Sequence, residues 1–345
     1  MFDGVTLFRT SILGSAFILS IVGILVYRIL AIRFNIIAER NQRTLHNNDT
    51  PKGSGIIFSL VSIFLTYLIW FQGLIPDDLT IVICFGGFAA TLFGFVDDII
   101  NIPAKIKLFI QILLSGFIIL CFGEVPLLLD TEYTSIDTGI VGVFIGVIAL
   151  VWLINLCNFM DGTDGMAASG TIFICAVIAV ILFFIQDETE IGLVAGVLAL
   201  SCFAFLLFNW PMAKIFMGDA GSVFIGYVFG VFIIYTMMLG YISIWTWIIV
   251  FGYFGIDTTL TLILRLIHIK KWYGAHRSHA YQNLARIWDS HSKILYLVIC
   301  FHLLWLLPLA ILSVAYNQYQ ELVCLLAISP TILWTLKYGP YLSND

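Results

Sequence analysis

The sequence predicts an all-α, polytopic integral membrane helix bundle. Three observations predict it: 61% of the 345 residues are hydrophobic, only 11% are charged, and the apolar residues fall in long unbroken runs. A soluble domain carries about a quarter charged residues. A hydrocarbon core of about 30 Å needs about 20 apolar residues per helix. Strands of a β-barrel would alternate in polarity, and these runs do not.

About 11 spans are expected, at residues 11–32, 55–74, 80–96, 106–122, 139–156, 166–185, 191–208, 222–239, 242–264, 294–315 and 321–336. The first reads as an uncleaved helix, since no convincing small-residue cleavage site follows it. The second opens after Thr50-Pro51-Lys52-Gly53-Ser54-Gly55, where Pro and Gly serve as ordinary helix punctuation. Asp97-Asp98 closes the third, and Lys107 opens the fourth, placed to snorkel to the interface. The fifth runs into Asn158, the sixth follows Gly165, the seventh ends before Asn209 and the eighth follows Gly221. A weak polar break at 237–243 separates the eighth from the ninth, so a ten- or twelve-helix count is also open. The ninth contains Asp257, eight residues before Arg265, and the tenth and eleventh complete the bundle. The chain reads as a single transmembrane domain over 1–345, without repeat or low-complexity tract.

Cytoplasmic loops of membrane proteins collect Lys and Arg. With the N-terminus outside (periplasmic), the inner segments hold nearly every cation, including Arg28, Arg33, Lys52, Lys107, Lys214, Arg265, Lys270, Lys271 and Arg277, while only Arg9 stays outside. The outer loops are acidic, as at Asp77-Asp78 and Asp187-Glu188. The C-terminus is then cytoplasmic. The seven cysteines lie in or at the ends of apolar runs with no CxxC pair, which indicates neither a disulfide frame nor a zinc site.

The same inner face collects carboxylates. Adjacent Asp97 and Asp98 repel, and the macrodipole opposes them at a helix C-terminus. A solvated turn is the plain alternative; a bound cation would relieve the repulsion. In Asn158-Phe159-Met160-Asp161-Gly162-Thr163-Asp164-Gly165, three polar side chains at steps of three and two glycines suit a tight turn around a polar ligand. An EF-hand reading fails, because Gly165 supplies no side-chain oxygen and Ile172 stands where the bidentate acid is needed. A helix cap by Asp164 alone would leave Asn158 and Asp161 unexplained. Asn209-Trp210-Pro211-Met212-Ala213-Lys214-Ile215-Phe216-Met217-Gly218-Asp219-Ala220-Gly221-Ser222 places Asp219 among small residues before a helix whose N-terminus attracts phosphate, with Ser222 as the expected cap. Mg²⁺ prefers few carboxylates plus substrate phosphates. Ala275-His276-Arg277-Ser278-His279 follows Lys270-Lys271; imidazoles and cations suit a diphosphate, and a basic loop touching anionic lipid is the alternative. Asp257 reads either as a functional intramembrane acid or as a pairing that orients its helix. No GxxxxGK[ST] P-loop and no GxSxG elbow is present.

Taken together, the aspartate pair, Asn-x-x-Asp-Gly-x-Asp-Gly, Phe-Met-Gly-Asp-x-Gly-Ser and the His-rich loop resemble the polyprenyl-phosphate N-acetylhexosamine-1-phosphate transferases, glycosyltransferase family 4. The resemblance runs from Pro51 to Gln282. It implies a site in which Asp97, Asp98, Asp161, Asp164 and Asp219 are catalytic. It also implies that Asp219 and Asp98 hold Mg²⁺, with Mn²⁺ as a substitute. Asn158, Asn209, Phe216, Lys52, Lys107 and Lys214 would bind substrate, with Phe216 stacking on uracil, and His276, Arg277 and His279 would hold the diphosphate or sugar. The partners implied are undecaprenyl phosphate, a UDP-N-acetylhexosamine and membrane lipid, with no nucleic acid and, by analogy, a homodimer, in the bacterial inner membrane. Ala-His-Arg-Ser-His-x-Tyr-Gln departs from the consecutive histidines of the peptidoglycan branch and looks more like the O-antigen initiating branch. Direct displacement, a base role for Asp97 or Asp98, and a covalent intermediate stay open. The reading from a different class is a secondary transporter of an anionic solute, which would place its polar groups near the midplane.

Overall fold

A computed structural model describes residues 4–38, 50–123, 139–186, 188–268 and 278–340. These residues are almost wholly helical; an isolated bridge joins Ile37 to Pro51. In chain order the helices are α1 Gly4–Arg33, α2 Gly55–Phe71, α3 Asp77–Ile81, α4 Gly87–Ile100, α5 Ala104–Phe122, α6 Gly139–Met160, α7 Met166–Phe184, α8 Thr189–Asn209, α9 Asp219–Met238, α10 Ile244–Val250, α11 Phe254–His268, α12 Ala280–Ile287, α13 His291–Phe301, α14 Leu307–Ala315 and α15 Gln320–Tyr338. A π-turn at Val82–Gly86 joins α3 and α4 into one span, Asp77–Ile100, and another at His302–Leu306 joins α13 and α14 into His291–Ala315.

Among the described residues, nine helices are long and apolar enough to cross a membrane, and the bent pair α10–α11 makes up to ten. The remaining apolar helix, α2, is shorter, with 17 residues. Each expected run forms helix, but the ninth needs correction. It is not one straight span: α10 and α11 meet at an angle of 85°. The break falls at Phe251-Gly252-Tyr253, where a glycine weakens the helix inside a run of otherwise uniform hydrophobicity. The polar break at 237–243 is real: α9 ends at Met238, and the Ser243 hydroxyl caps α10 by accepting from the Thr246 amide.

Helix α9 sits at the centre. Its best apolar window is 83% buried, against 28% for α1, and it packs against α2, α4 and α6. The outer helices expose large apolar side chains such as Ile29, Phe85, Leu120 and Leu304. Such a continuous apolar exterior suits lipid rather than water. Because α9 is central, whatever stands at its N-terminus is enclosed by the ends of the helices around it.

Candidate active site

Asp219 is the first residue of α9, and Asp97 and Asp98 lie in the last turn of α4. These two helix ends cross in contact. A Cβ on Gly94 would lie 2.2 Å from the Asp219 carbonyl oxygen, so only glycine lets α4 approach there. The crossing answers the electrostatic objection to Asp97-Asp98. Both carboxylates sit at the unfavourable end of α4's dipole, yet Asp98 accepts the Ala220 amide at 3.1 Å, at the favourable end of α9. Gly218, at φ +74, leaves room for it: a Cβ there would lie 2.4 Å from Asp98 Oδ2. Asp97 accepts the Ile102 amide at 2.7 Å. The Asp97 and Asp219 carboxyls lie within hydrogen-bond reach of each other. Lys107, from the first turn of α5, forms ion pairs with both, at 3.3 Å from Asp219. Lys52 acts electrostatically on Asp98.

The turn after α6 joins this cluster. Asn158 donates to Asp219 Oδ1 at 2.7 Å and to the Ser222 hydroxyl at 3.0 Å. Asp161 is bonded by the Gly218 backbone. Its carboxyl is raised well above the usual range by burial and by the neighbouring carboxylates of Asp219, Asp98 and Asp164. The side chain keeps partial exposure, which discounts the burial contribution and leaves the carboxylate repulsion. A cation at this point would relieve it.

Other expected residues serve as braces. Asp164 Oδ2 accepts the amides of Met212 and Ala213, both at 3.1 Å, with His291 Nδ1 at 3.6 Å. Asn209 is 2% exposed; it accepts from the Gly165 amide and donates to the Ile215 carbonyl, both at 2.9 Å. Its amide group ties the two motifs together and presents little surface to a ligand. Phe216 is half-buried, with its amide donating to Pro51 and its carbonyl accepting from Ser54. Lys214 is exposed on the same loop.

Two expectations need correction. Ser222 does not cap the helix, which begins at Asp219; its hydroxyl donates to the Gly218 carbonyl and accepts from Asn158. The plain alternative of an Asp164 cap fails too, because the N-cap of α7 is Gly165. His279 is not a cation for a diphosphate. It is 2% exposed, its ring lies 6.0 Å from Phe159 and 5.9 Å from Tyr281, and burial lowers its pKa to about 4, so it is neutral near pH 7. His276 and Arg277, like Lys270 and Lys271, lie outside the described residues. Sequence reading missed Tyr281, whose hydroxyl donates to the Phe159 carbonyl at 2.7 Å, and the Gln111–Asn155 pair beside Asn158 at 2.8 Å. A polar Asn155 one helical turn before Asn158 was the available signal.

The donor set fits magnesium. Asp98 and Asp219 offer hard carboxylate oxygens, and among the described residues no group of three or more His, Cys, Asp or Glu forms a cage for an ion by itself. A site of few carboxylates that relies on substrate phosphates is the arrangement Mg²⁺ takes. Lys107 meanwhile places a cation between two of the carboxylates.

The family described as Glycosyl transferase family 4 matches residues 80–237, the segment that supplies Asp97, Asp98, Asn158, Asp161 and Asp219. The chain is 27% identical over 299 residues to a probable undecaprenyl-phosphate N-acetylglucosaminyl 1-phosphate transferase of Bacillus subtilis (strain 168), covering 82% of this chain and 81% of the relative. It is 30% identical over 199 residues to the phospho-N-acetylmuramoyl-pentapeptide-transferase of Clostridioides difficile (strain 630), covering 54% of this chain and 60% of that protein. It is 33% identical over 198 residues to the transferase of the same name from Wolbachia pipientis wMel, covering 53% and 59% respectively. The matched segment and the joined motifs agree: residues 80–237, which carry the carboxylate cluster, are similar to glycosyl transferase family 4.

Proposed function

We propose that this protein transfers N-acetylhexosamine 1-phosphate from a UDP-sugar to undecaprenyl phosphate at the inner face of the bacterial cytoplasmic membrane. The product would start O-antigen or another cell-envelope polysaccharide, with UDP-GlcNAc or a 6-deoxy relative as donor. One observation carries the reading: Asp97, Asp98, Lys107, Asn158 and Asp219, from four separate helices, meet through direct contacts at one end of the bundle. A transporter would place such groups near the midplane, and nothing in this arrangement favours that rival.

In the reaction, an oxygen of the lipid phosphate attacks the β-phosphorus, which bears the sugar. The bond from the β-phosphorus to the bridging oxygen breaks, and that oxygen leaves with UMP. A phosphate monoester has a second pKa of about 6, so the acceptor is mostly ionised near neutral pH and direct displacement needs no strong base. The harder task is bringing two anions together. Lys107, Lys52 and Lys214 supply positive charge, and Asn158 orients Asp219. Magnesium, held by Asp219 and Asp98, would neutralise diphosphate charge.

Purified protein should release UMP from UDP-GlcNAc or a UDP-6-deoxy-HexNAc only with undecaprenyl phosphate and Mg²⁺, and EDTA should stop it. Asp219→Asn should lower turnover by about a thousandfold or more with the fold intact. Full activity in that variant would remove Asp219 from the site, and solute uptake without UMP release would favour the transporter.

A further inference from the structure

Asp257 lies outside the carboxylate cluster, in the first turn of α11 beyond the bend, and is 0% exposed. It does not pair with Arg265 on its own helix. Its Oδ1 accepts the Ala280 amide at 3.0 Å and its Oδ2 the Tyr281 amide at 3.4 Å, the first two amides of α12. The hydroxyls of Thr261 and Thr335 complete its shell, each at 3.3 Å. Arg265 reaches the same stretch, donating to the Ser278 hydroxyl at 3.0 Å. A buried carboxylate from one helix thus fastens the start of another, at the amides whose partners a helix N-terminus lacks.

The next contact leads to the active site. Tyr281 is 0% exposed, and its hydroxyl donates to the Phe159 carbonyl at 2.7 Å. It also accepts from Gln282 Nε2 at 3.1 Å and from the Gly162 backbone. Burial, and then the Asp257 charge, raise the Tyr281 pKa, so the phenol stays protonated and able to donate. Of the two backbone groups it binds, the Phe159 carbonyl belongs to the residue directly after Asn158 and the Gly162 group to the residue directly after Asp161. We propose that Asp257 is a positioning residue: by fixing the first turn of α12, it sets Tyr281 against the 158–164 turn and so places Asn158 and Asp161. This rests on the transferase reading for its effect on turnover, but its effect on the turn stands apart from it.

The test uses the full chain in detergent, with Asp257→Asn, Tyr281→Phe and the double variant. In Asp257→Asn an NH₂ replaces one of the oxygens that face only donors. Tyr281→Phe removes a single hydroxyl and serves where Asp257→Asn fails to fold. Hydrogen exchange of the 158–164 amides should quicken by about tenfold or more in both single variants. Turnover with UDP-GlcNAc or the UDP-sugar that the wild type accepts should fall by about tenfold to a hundredfold. The double variant should be no worse than Asp257→Asn alone, because coupled residues are non-additive. Unchanged exchange in the 158–164 turn, or single effects that multiply in the double variant, would overturn the proposal. A wild type that exchanges as expected but releases no UMP from any UDP-sugar would count against the transferase reading only.

Discussion

Lys107 brings one ammonium to two carboxylates that come from different helices, Asp97 and Asp219. Removing one partner of a partly buried ion pair leaves an uncompensated charge, at a cost of about 3 kcal/mol or more when burial is deep. Lys107 is half-exposed, so the stability cost should be a fraction of that, while the loss of a cation beside a diphosphate should be large. Lys107→Met should lower turnover by about a hundredfold with a modest drop in melting temperature, and Lys107→Arg should keep more activity; steady-state UMP release and thermal melts check both. His279 makes a pH prediction. Burial lowers its pKa from the ordinary imidazole value of 6.5 to about 4. Below about pH 6.5 the unfolded chain takes up a proton that the folded protein refuses. Its contribution to stability is therefore whole above that pH and is lost as the pH falls towards about 4, by up to about 3 kcal/mol. His279→Gln should flatten this part of the curve of melting temperature against pH; a wild-type curve already flat there would refute it.

Between elements, the decisive contact is the crossing of α4 and α9. Gly94 faces the Asp219 carbonyl, and neither backbone has a flexible side chain to move aside. Gly94→Ala should destabilise by about 1–3 kcal/mol through overpacking and should cost activity as well, because it pushes Asp219 away from Asp98. Gly116→Ala is the comparison: in α5, an added Cβ meets nothing within 4 Å. It should leave activity intact and change stability by about 1 kcal/mol or less, in the stabilising direction. Equal melting temperatures and turnover in the two variants would show that the crossing is not tight. The crossing was only half legible in the sequence. Gly94 and Asp219 each stood in a quoted motif, but their pairing depends on how two helices distant in sequence dock. The bend between α10 and α11 was hidden as well, since apolar periodicity continues across it and one glycine in a membrane helix is ordinary.

Across the whole molecule, the charge bias assigns a side to the site. By the positive-inside rule, the end carrying Lys52, Lys107 and Lys214 is expected to face the cytoplasm. Met212 is 85% exposed on the loop that Asp164 braces, and Gln72 is exposed beyond the far end of α2. Met212→Cys should react with an impermeant maleimide only from the cytoplasmic side, and Gln72→Cys only from the opposite side. Labelling of both from one side would overturn the assignment.

The sequence by itself determined the helical membrane class, the position of nearly every span and the motifs that carry chemistry. Hydrophobic run length, charge bias and turn chemistry are local properties, written in consecutive residues. Tertiary structure decided which side chains meet. Asn158 finds Asp219, Asp98 finds the α9 amides, Asn209 and Asp164 turn out to be braces, and Asp257 reaches past its own helix to α12. Those pairings arise where helix ends converge in a low-dielectric interior, in which each buried donor and acceptor must find a partner.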